Sequence, residues 1–229
     1  MAGADPIDEN LSRIREGIAR AAARADRDAT GVTLVAAAKT VPPAAVRRVV
    51  ELGVRSVGHN YVQELRGARQ ALADLDVRWH YIGTLQTNTA HLVADLADVV
   101  ETLGSERAIR RLAGRASRAG RTVGALIEVD FTGERAGIAP ERVRSVADLV
   151  AGMDGLDLRG LMTLPPPTPS AEGARPWFAR LRELRDRLRE QHPDVLDLSM
   201  GMSLDYEVAV EEGATMVRIG TALFGPRTP

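Results

Sequence analysis

The segment TLVAAAKTVPPAAVRRVVELGVRSVGHN (33–60) contains one complete strand–helix–strand unit, and units of this kind recur along the chain. Its first part, TLVAAA (33–38), is almost entirely apolar, as expected of a strand that helices cover on both faces of a sheet. A helix is predicted over 43–52, because a proline opens this stretch and a glycine follows it. The segment SVG (56–58) predicts the next strand. A unit of this type indicates parallel strands joined by a helix.

The same alternation continues to both sides of this unit. Eight strands are predicted, over 33–38, 56–58, 79–83, 98–101, 124–130, 157–162, 197–200 and 215–220. The predicted helices lie over 7–25, 43–52, 61–74, 87–96, 105–119, 140–152, 176–191 and 203–212. This order predicts an α/β protein, a single (β/α)8 TIM barrel with an extra N-terminal helix, as one domain over residues 1–229. An open doubly wound sheet is the alternative, but the turn after the first strand, KTVPP, lacks the glycines that a dinucleotide requires.

The composition restricts the class of protein. The chain has 30 basic and 31 acidic residues and a net charge of −1, which gives no indication of a surface for nucleic acid. It contains no cysteine, and its histidines (His59, His80, His91 and His192) lack metal-ligand spacing. No apolar run approaches the roughly 18 residues of a membrane helix, and no signal peptide is visible at the N-terminus. We therefore expect a cytoplasmic protein with no metal and no nucleic-acid or membrane partner.

One residue stands out by its type. Of the 30 lysine and arginine residues, only Lys39 is a lysine, and it follows the first predicted strand. A primary amine can lose its proton and attack a carbonyl group, whereas a guanidinium group keeps its proton. Lys39 is therefore a candidate for forming a Schiff base. The alternative is that an arginine-rich composition has left one lysine by chance.

Functional groups of a TIM barrel lie at the C-terminal ends of its strands. Polar and glycine residues cluster at these predicted ends, at Lys39, Gly58, His59, Asn60, His80, Gly83, Gln86, Asn88, Met162, Thr163, Ser199 to Ser203 and Arg218 to Thr221. The loops after the seventh and eighth strands, where barrels commonly bind phosphate, read SMGMS (199–203) and RIGTALFG (218–225). Their glycines and hydroxyl groups favour a phosphate site, although each glycine alone could serve an ordinary turn.

Two residues of the predicted strands have alternative interpretations. Arg218 needs a partner inside an apolar strand, and it either pairs with a carboxylate on a covering helix or faces the mouth of the barrel. At the mouth it could donate to the pyridine nitrogen of pyridoxal phosphate. His80 is either a hydrogen-bonded core residue or a site residue. A stripe on the seventh helix is predicted to pack in the core, and its members are Trp177, Leu181, Leu184 and Leu188.

Five segments together resemble one known family. They are VAAAKT (35–40), GHNYVQE (58–64), WHYIGTLQTN (79–88), RGLMTLP (159–165) and LSMGMSLDYEVAVEEGATMVRIGTALFG (198–225). In order and over nearly the whole chain, they look like the pyridoxal phosphate homeostasis (YggS/PROSC) family. The long last segment is the most specific of the five. The resemblance implies a fold like the N-terminal barrel of alanine racemase, and pyridoxal 5'-phosphate (PLP) as the cofactor.

The resemblance also implies roles for individual residues. The lysine matching Lys39 forms an internal aldimine with the cofactor, and the arginine matching Arg218 faces the pyridine nitrogen. The positions matching Ser199, Met200, Gly201, Gly220 and Thr221 surround the phosphate, and the asparagine matching Asn60 lies near the ring. We also place His80 and Met162 in the cofactor site, from their position at strand ends. Two departures from the family pattern are His59, where the family usually has glutamate, and Thr89, where it usually has lysine.

The family is associated with storage and delivery of the cofactor, which implies apo PLP-dependent enzymes as partners and no robust catalytic activity. A PLP-dependent amino-acid racemase is the alternative, but it needs a second acid or base, which alanine racemases take from a tyrosine in a further domain. The chain ends after the eighth unit, so that domain is not expected, and we expect a monomer. A third possibility is a barrel aldolase or isomerase acting on a sugar phosphate, for which we find no carboxylate pair beside Lys39.

Overall fold

The computed structural model describes residues 6–226. Eight parallel strands form a closed barrel in the order of the chain. The strands are β1 (Thr33–Ala37), β2 (Ser56–His59), β3 (Arg78–Tyr81), β4 (Val99–Leu103), β5 (Val123–Val129), β6 (Leu156–Thr163), β7 (Asp197–Ser199) and β8 (Met216–Ile219). The predicted TIM barrel is confirmed. The single domain predicted over 1–229 extends beyond the described residues at both ends.

The helices alternate with the strands, and α1 precedes the first of them. They are α1 (Pro6–Arg24), α2 (Pro43–Glu51), α3 (Val62–Ala71), α4 (Ala90–Leu96), α5 (Glu106–Arg118), α6 (Val143–Ala151), α7 (Arg175–Arg189), α8 (Tyr206–Glu211) and α9 (Thr221–Phe224). The extra N-terminal helix is confirmed: α1 packs against α2, α8 and α9 and buries Leu11, Ile14 and Ile18. The short helix α9 was not predicted, because four residues are too few to show a helical period.

Local sequence features explain where the helix of the first strand–helix–strand unit begins and ends. Pro43 stands at the start of α2, where its missing N–H costs no hydrogen bond. Beyond the end of α2, Gly53 has φ +92°, a backbone angle that residues with a Cβ atom rarely adopt. The barrel then closes between its first and last strands, where Val35 of β1 lies opposite Arg218 of β8.

The core has two parts. The larger part lies between the strands and the surrounding helices. The smaller part fills the inside of the barrel with Val35, Val99, Leu126, Met162 and Met216. We call the end of the barrel at the C-terminal ends of the strands the barrel mouth. Since side chains fill the inside of the barrel, a ligand can bind only at an end of the barrel, and we look for the site among the loops of the mouth.

The helical stripe predicted on α7 is wrong by one residue at its start. Phe178, Leu181 and Leu188 are the residues that α7 buries in the core, and Leu184 packs against the core partly buried. Trp177 is only half-buried and lies with its ring 6.1 Å from the ring of Phe131. Arg180 stacks on both rings, at 4.5 Å from the centroid of Phe131 and 5.1 Å from that of Trp177.

Candidate functional site

Lys39 lies two residues beyond the end of β1, at the barrel mouth, and is half-buried. Its Nζ atom lies 5.3 Å from the centroid of the Tyr61 ring, a distance typical of a cation–π contact. Within residues 6–226 no carboxylate forms an ion pair with Lys39. The amine therefore has no counter-ion that would have to be displaced before it reacts with a carbonyl group.

The loops after β7 and β8 are held together by a side chain. The Ser203 Oγ atom accepts a hydrogen bond of 3.0 Å from the Ala222 N–H in the first turn of α9. Gly201 has φ +91°, and a Cβ atom there would lie 2.5 Å from the Cβ of Ala209. Gly220 approaches β1 closely, since a Cβ atom on it would lie 3.2 Å from the Ala37 carbonyl oxygen. A Cβ atom would not fit at Gly201 and would be tightly placed at Gly220, so both glycines let the backbone line the mouth.

Thr221 and Ser203 are the hydroxyl groups that these two loops present near the mouth surface. Thr221 is exposed and Ser203 is half-buried. Thr221 is also the first residue of α9, and the first amide groups of a helix have no acceptor within the helix. Hydroxyl and amide donors of this kind suit a phosphate group.

Four side chains form a buried network inside the barrel, below the mouth. The Nη1 group of Arg218 donates to Ser199 Oγ at 2.5 Å, and Ser199 Oγ donates to Glu101 Oε2 at 2.5 Å. The other carboxylate oxygen, Glu101 Oε1, lies 2.6 Å from His80 Nδ1. The residues of this network (His80, Glu101, Ser199 and Arg218) are at most 5 % exposed, so water does not screen their charges. Arg218 thus points into the barrel and not toward a carboxylate on a covering helix, which was the other orientation that the sequence left open.

The network keeps Glu101 ionised. Burial by itself would raise the pKa of Glu101, but the hydrogen bond from His80 and the charge of Arg218 outweigh it, and the pKa lies below its ordinary value. An ionised carboxylate only accepts hydrogen bonds, so His80 Nδ1 carries the hydrogen that it shares with Glu101. Burial lowers the pKa of Arg218, and the carboxylates around it oppose this shift.

Two further carboxyl groups lie near Arg218. Glu128 at the end of β5 is buried, and so is Asp205, which precedes α8 and accepts a hydrogen bond of 2.7 Å from the Met202 N–H. Burial raises the pKa of Glu128 and of Asp205, and the charge of Arg218 opposes both shifts. Both groups are therefore less readily ionised than Glu101.

The structure places most of the predicted site residues together around the mouth. Asn60 follows β2 and its Nδ2 group donates to the Ile82 carbonyl at 3.4 Å. Beside it opens a cleft of about 450 Å³, which Tyr61, Tyr81 and Gln86 also line. The sequence order thus brings Lys39, Asn60, Gly201, Gly220 and Thr221 to one end of the barrel, and Arg218 below them.

Four of the predicted site residues have side chains that lie beneath the mouth and are at most 1 % exposed, so their contacts with a cofactor stay predictions. Met162 packs in the apolar core inside the barrel. Met200 packs in the outer core, and its N–H already donates to the Met216 carbonyl. The Ser199 hydroxyl is taken by Glu101 and Arg218, and His80 is a hydrogen-bonded core histidine rather than a group at the surface of the site.

The two departures from the family pattern have separate structural accounts. His59 faces out of the barrel and stacks on Trp79, with ring centroids 6.1 Å apart and planes 27° apart. Burial lowers the pKa of His59 to about 4, so this ring is neutral at neutral pH. Thr89 precedes α4, and its hydroxyl donates to the Gln86 carbonyl at 3.3 Å. It therefore supplies no amine at the mouth.

Sequence reasoning missed Glu101 and Glu128. Glu101 ends the predicted strand 98–101, whose other members are mostly apolar, and a buried carboxylate needs a partner for the same reason as Arg218 does. The rule that singled out Arg218 would therefore have found Glu101. Glu128 is likewise a charged residue within an apolar predicted strand, 124–130, and the same rule would have found it.

Residues 6–226 lack two features. No group of three or more His, Cys, Asp or Glu side chains could hold a metal ion there. No helix in that range combines the length and the apolar character needed to cross a membrane.

Comparisons with known proteins give consistent results. The family model for the N-terminal domain of alanine racemase matches residues 9–228. A pyridoxal phosphate homeostasis protein of Aquifex aeolicus is 41 % identical over 222 residues, which cover 96 % of this chain and 97 % of the relative. One of Escherichia coli is 36 % identical over 229 residues, with 96 % and 97 % covered.

Solved structures show the same relationship. PipY of Synechococcus elongatus, solved with PLP bound, superimposes with a TM-score of 0.85 at 33 % identity, covering 96 % of this chain and all of PipY. An alanine racemase of Clostridium difficile matches with a TM-score of 0.74 at 15 % identity. This second match covers 99 % of this chain but 57 % of the racemase, and it shows a shared fold alone.

Proposed function

Because this chain belongs to the family of pyridoxal phosphate homeostasis proteins, within the wider family of the alanine racemase N-terminal domain, we propose that it binds PLP and takes part in intracellular PLP homeostasis. The observation that carries the proposal is the position of Lys39. The sole lysine of the chain lies at the barrel mouth, with no carboxylate paired to it among residues 6–226. The relative PipY, of the same fold, was solved with PLP bound.

The residues at the mouth fit this cofactor. PLP supplies an aldehyde that condenses with a primary amine, together with a phosphate group and a pyridine ring. Lys39 offers the amine, and Gly201 and Gly220 offer backbone that no Cβ atom obstructs. Ser203 and Thr221 offer hydroxyl groups, so the phosphate contact expected of Ser199 passes to Ser203 in our proposal. Asn60 lies beside the same mouth and would contact the ring.

Arg218 would hold the pyridine nitrogen. The guanidinium group has five N–H donors, of which two are used by Ser199 and the Thr163 carbonyl. A guanidinium group keeps its own proton and would leave the pyridine nitrogen unprotonated, which makes the ring a poor electron sink. We therefore propose a role in binding and passing on the cofactor, through a Schiff base with Lys39, without robust catalytic activity. An amino-acid racemase is not favoured.

Delivery is the finer part of the proposal. The mouth is open enough that Tyr61, Met202 and Leu204 are each more than 40 % exposed there, and water or a recipient protein can approach Lys39. Apo PLP-dependent enzymes are the proposed recipients. We further propose that the protein acts in the cytoplasm and as a monomer.

The test is a peptide map after reduction with borohydride. Trypsin cuts the unmodified protein after Arg27, Lys39 and Arg47, whereas a modified Lys39 is not cut. We expect one cofactor mass per chain on the peptide 28–47, with loss of the peptides 28–39 and 40–47. Lys39→Ala leaves no lysine in the chain and is the matched control. Absence of the 28–47 adduct in protein that was incubated with PLP would overturn the proposal.

A further inference from the structure

Arg218 is oriented by a hydrogen-bonded chain that reaches across the barrel from β8 to β3. Its Nη1 group donates a hydrogen bond to the Ser199 hydroxyl on β7, and that hydroxyl donates to Glu101 on β4. Glu101 also accepts a hydrogen bond from His80 on β3. The Nη2 group is fixed separately by the Thr163 carbonyl at 3.0 Å. A guanidinium group held on both sides cannot rotate freely, so its remaining donors point in one direction.

The charge of Arg218 is balanced from several strands, and the groups differ in how firmly they are ionised. Glu101 faces it from β4 with Oε2 at 3.8 Å from Nη1, while Glu128 faces it from β5 and Asp205 from the loop before α8. Burial raises the pKa of Glu128 and of Asp205, while the pKa of Glu101 is lowered. Of these three carboxylates, Glu101 is the one that stays ionised most firmly.

The other charged groups near Glu101 would not replace its negative charge if that charge were lost. On its β3 side it faces His80, and on its β7 side it acts on Asp197, a carboxyl group that also lies near Arg159. Burial raises the pKa of Asp197, which makes this carboxyl group harder to ionise beside Glu101. Arg135 acts on Glu128. The ion pair of Glu101 with Arg218 is thus the charge pair in the centre of the barrel.

We propose that Glu101 is the permanent counter-charge of Arg218 and, acting through it, a positioning residue that sets the charge balance at the ring-nitrogen end of the cofactor site. His80 and Ser199 hold Glu101 in place. The inference rests on the proposed function, because it concerns how the site treats bound PLP. With Glu101 present, Arg218 can donate a hydrogen bond to the ring while adding little net positive charge to the site.

The test uses Glu101→Gln, which keeps the shape of the side chain and removes its charge. In the loaded protein, the visible absorption band of the cofactor depends on the proton at the nitrogen of Lys39. Loss of a buried negative charge leaves Arg218 unbalanced and disfavours that positively charged form, so the pH midpoint of the band falls. We expect a fall of about one pH unit, the order for one charge acting over ~10 Å at an effective dielectric constant of ~20.

A matched variant separates the local charge of Glu101 from the net charge of the protein. Glu183→Gln changes the net charge of the protein equally, but on the exposed face of α7, and the midpoint should stay within about 0.2 of a pH unit because water screens it. A midpoint for Glu101→Gln equal to that of Glu183→Gln, at full loading on Lys39, would overturn the inference and leave the proposed function intact.

A second measurement does not depend on the variant folding. In the wild-type protein without cofactor, carbon NMR of labelled glutamate carboxyl groups should show Glu101 titrating below the ordinary range of glutamate. Titration of Glu101 at or above that range would overturn the counter-charge role. Failure of the wild-type protein to form the borohydride adduct would instead reject the proposed function, so the two failures have different signatures.

Discussion

Two alanine substitutions test our proposal that Ser203, and not Ser199, contacts the phosphate of PLP. Ser199→Ala removes a fully buried hydroxyl and leaves one oxygen of Glu101 and one N–H of Arg218 without a partner. Each unsatisfied buried group costs ~1–3 kcal/mol, and the two groups lie 3.8 Å apart and attract each other, which favours the low end. We therefore expect the free energy of unfolding to fall by about 2–3 kcal/mol. For a chain of this length the melting temperature should fall by roughly 5–10 °C.

Ser203→Ala should have the opposite effects, a small loss of stability and a larger loss of affinity for PLP. Its hydroxyl is half-buried and accepts one amide hydrogen bond, from Ala222, so the loss of stability should be about 1 kcal/mol or less. Loss of a charge-assisted hydrogen bond to the phosphate costs ~1–3 kcal/mol, and partial exposure favours the lower end. We therefore expect the dissociation constant for PLP to rise about tenfold for Ser203→Ala and less than about threefold for Ser199→Ala.

The assays are thermal unfolding without cofactor and a titration of each variant with PLP followed by absorbance. Thr221→Ala, which removes the other hydroxyl at the mouth, should resemble Ser203→Ala in both assays. The reasoning is refuted if Ser199→Ala weakens cofactor binding as much as Ser203→Ala does while its melting temperature is unchanged. The Ser199 hydroxyl would then reach the phosphate instead of the buried network.

The remaining predictions concern turnover and transfer. With Arg218 at the ring nitrogen, L- and D-alanine should not interconvert measurably in chiral chromatography, and turnover at about 1 s⁻¹ or faster would restore the racemase alternative. Loaded protein mixed with an apo PLP-dependent enzyme should restore the activity of that enzyme. Lys39→Ala should change the rate or extent of this transfer. A visible band that persists beside an excess of competent apo-enzyme would exclude delivery and leave storage.

The fold was predictable because it depends on a repeated local pattern. Eight apolar strands alternating with helices determine the barrel. Within β3 the neighbours His80 and Tyr81 lie on opposite faces, as the alternation of side chains along a strand requires. The same alternation, had it been applied to β7, would have turned Ser199 toward the barrel interior. The apolar stripe of α7 begins at Phe178 and not at the predicted Trp177. Neighbouring residues on a helix differ by a rotation of about 100°, and the spacing of apolar residues in the sequence does not determine which of the two faces the core.

The buried network was harder to predict for a physical reason. Its members come from β3, β4, β7 and β8, and hydrogen bonds between them depend on barrel closure rather than on local spacing. Sequence reasoning could show that Arg218 needs a partner but not whether that partner lies inside or outside the barrel. The pairing of Arg218 with Glu101 follows only when β4 and β8 are placed across the same barrel interior.

The covalent chemistry of this chain is concentrated in one group. Its other 29 basic residues, 30 minus Lys39, are arginines, which do not form Schiff bases. At the mouth, Thr89 offers a hydroxyl where the family usually has a second lysine, so this position cannot take the cofactor from Lys39 by direct exchange between amines. If Lys39 carries the cofactor as we propose, its release would proceed through water or through an amine that the recipient brings. The exposure of Tyr61, beside which the amine of Lys39 lies, leaves both routes open.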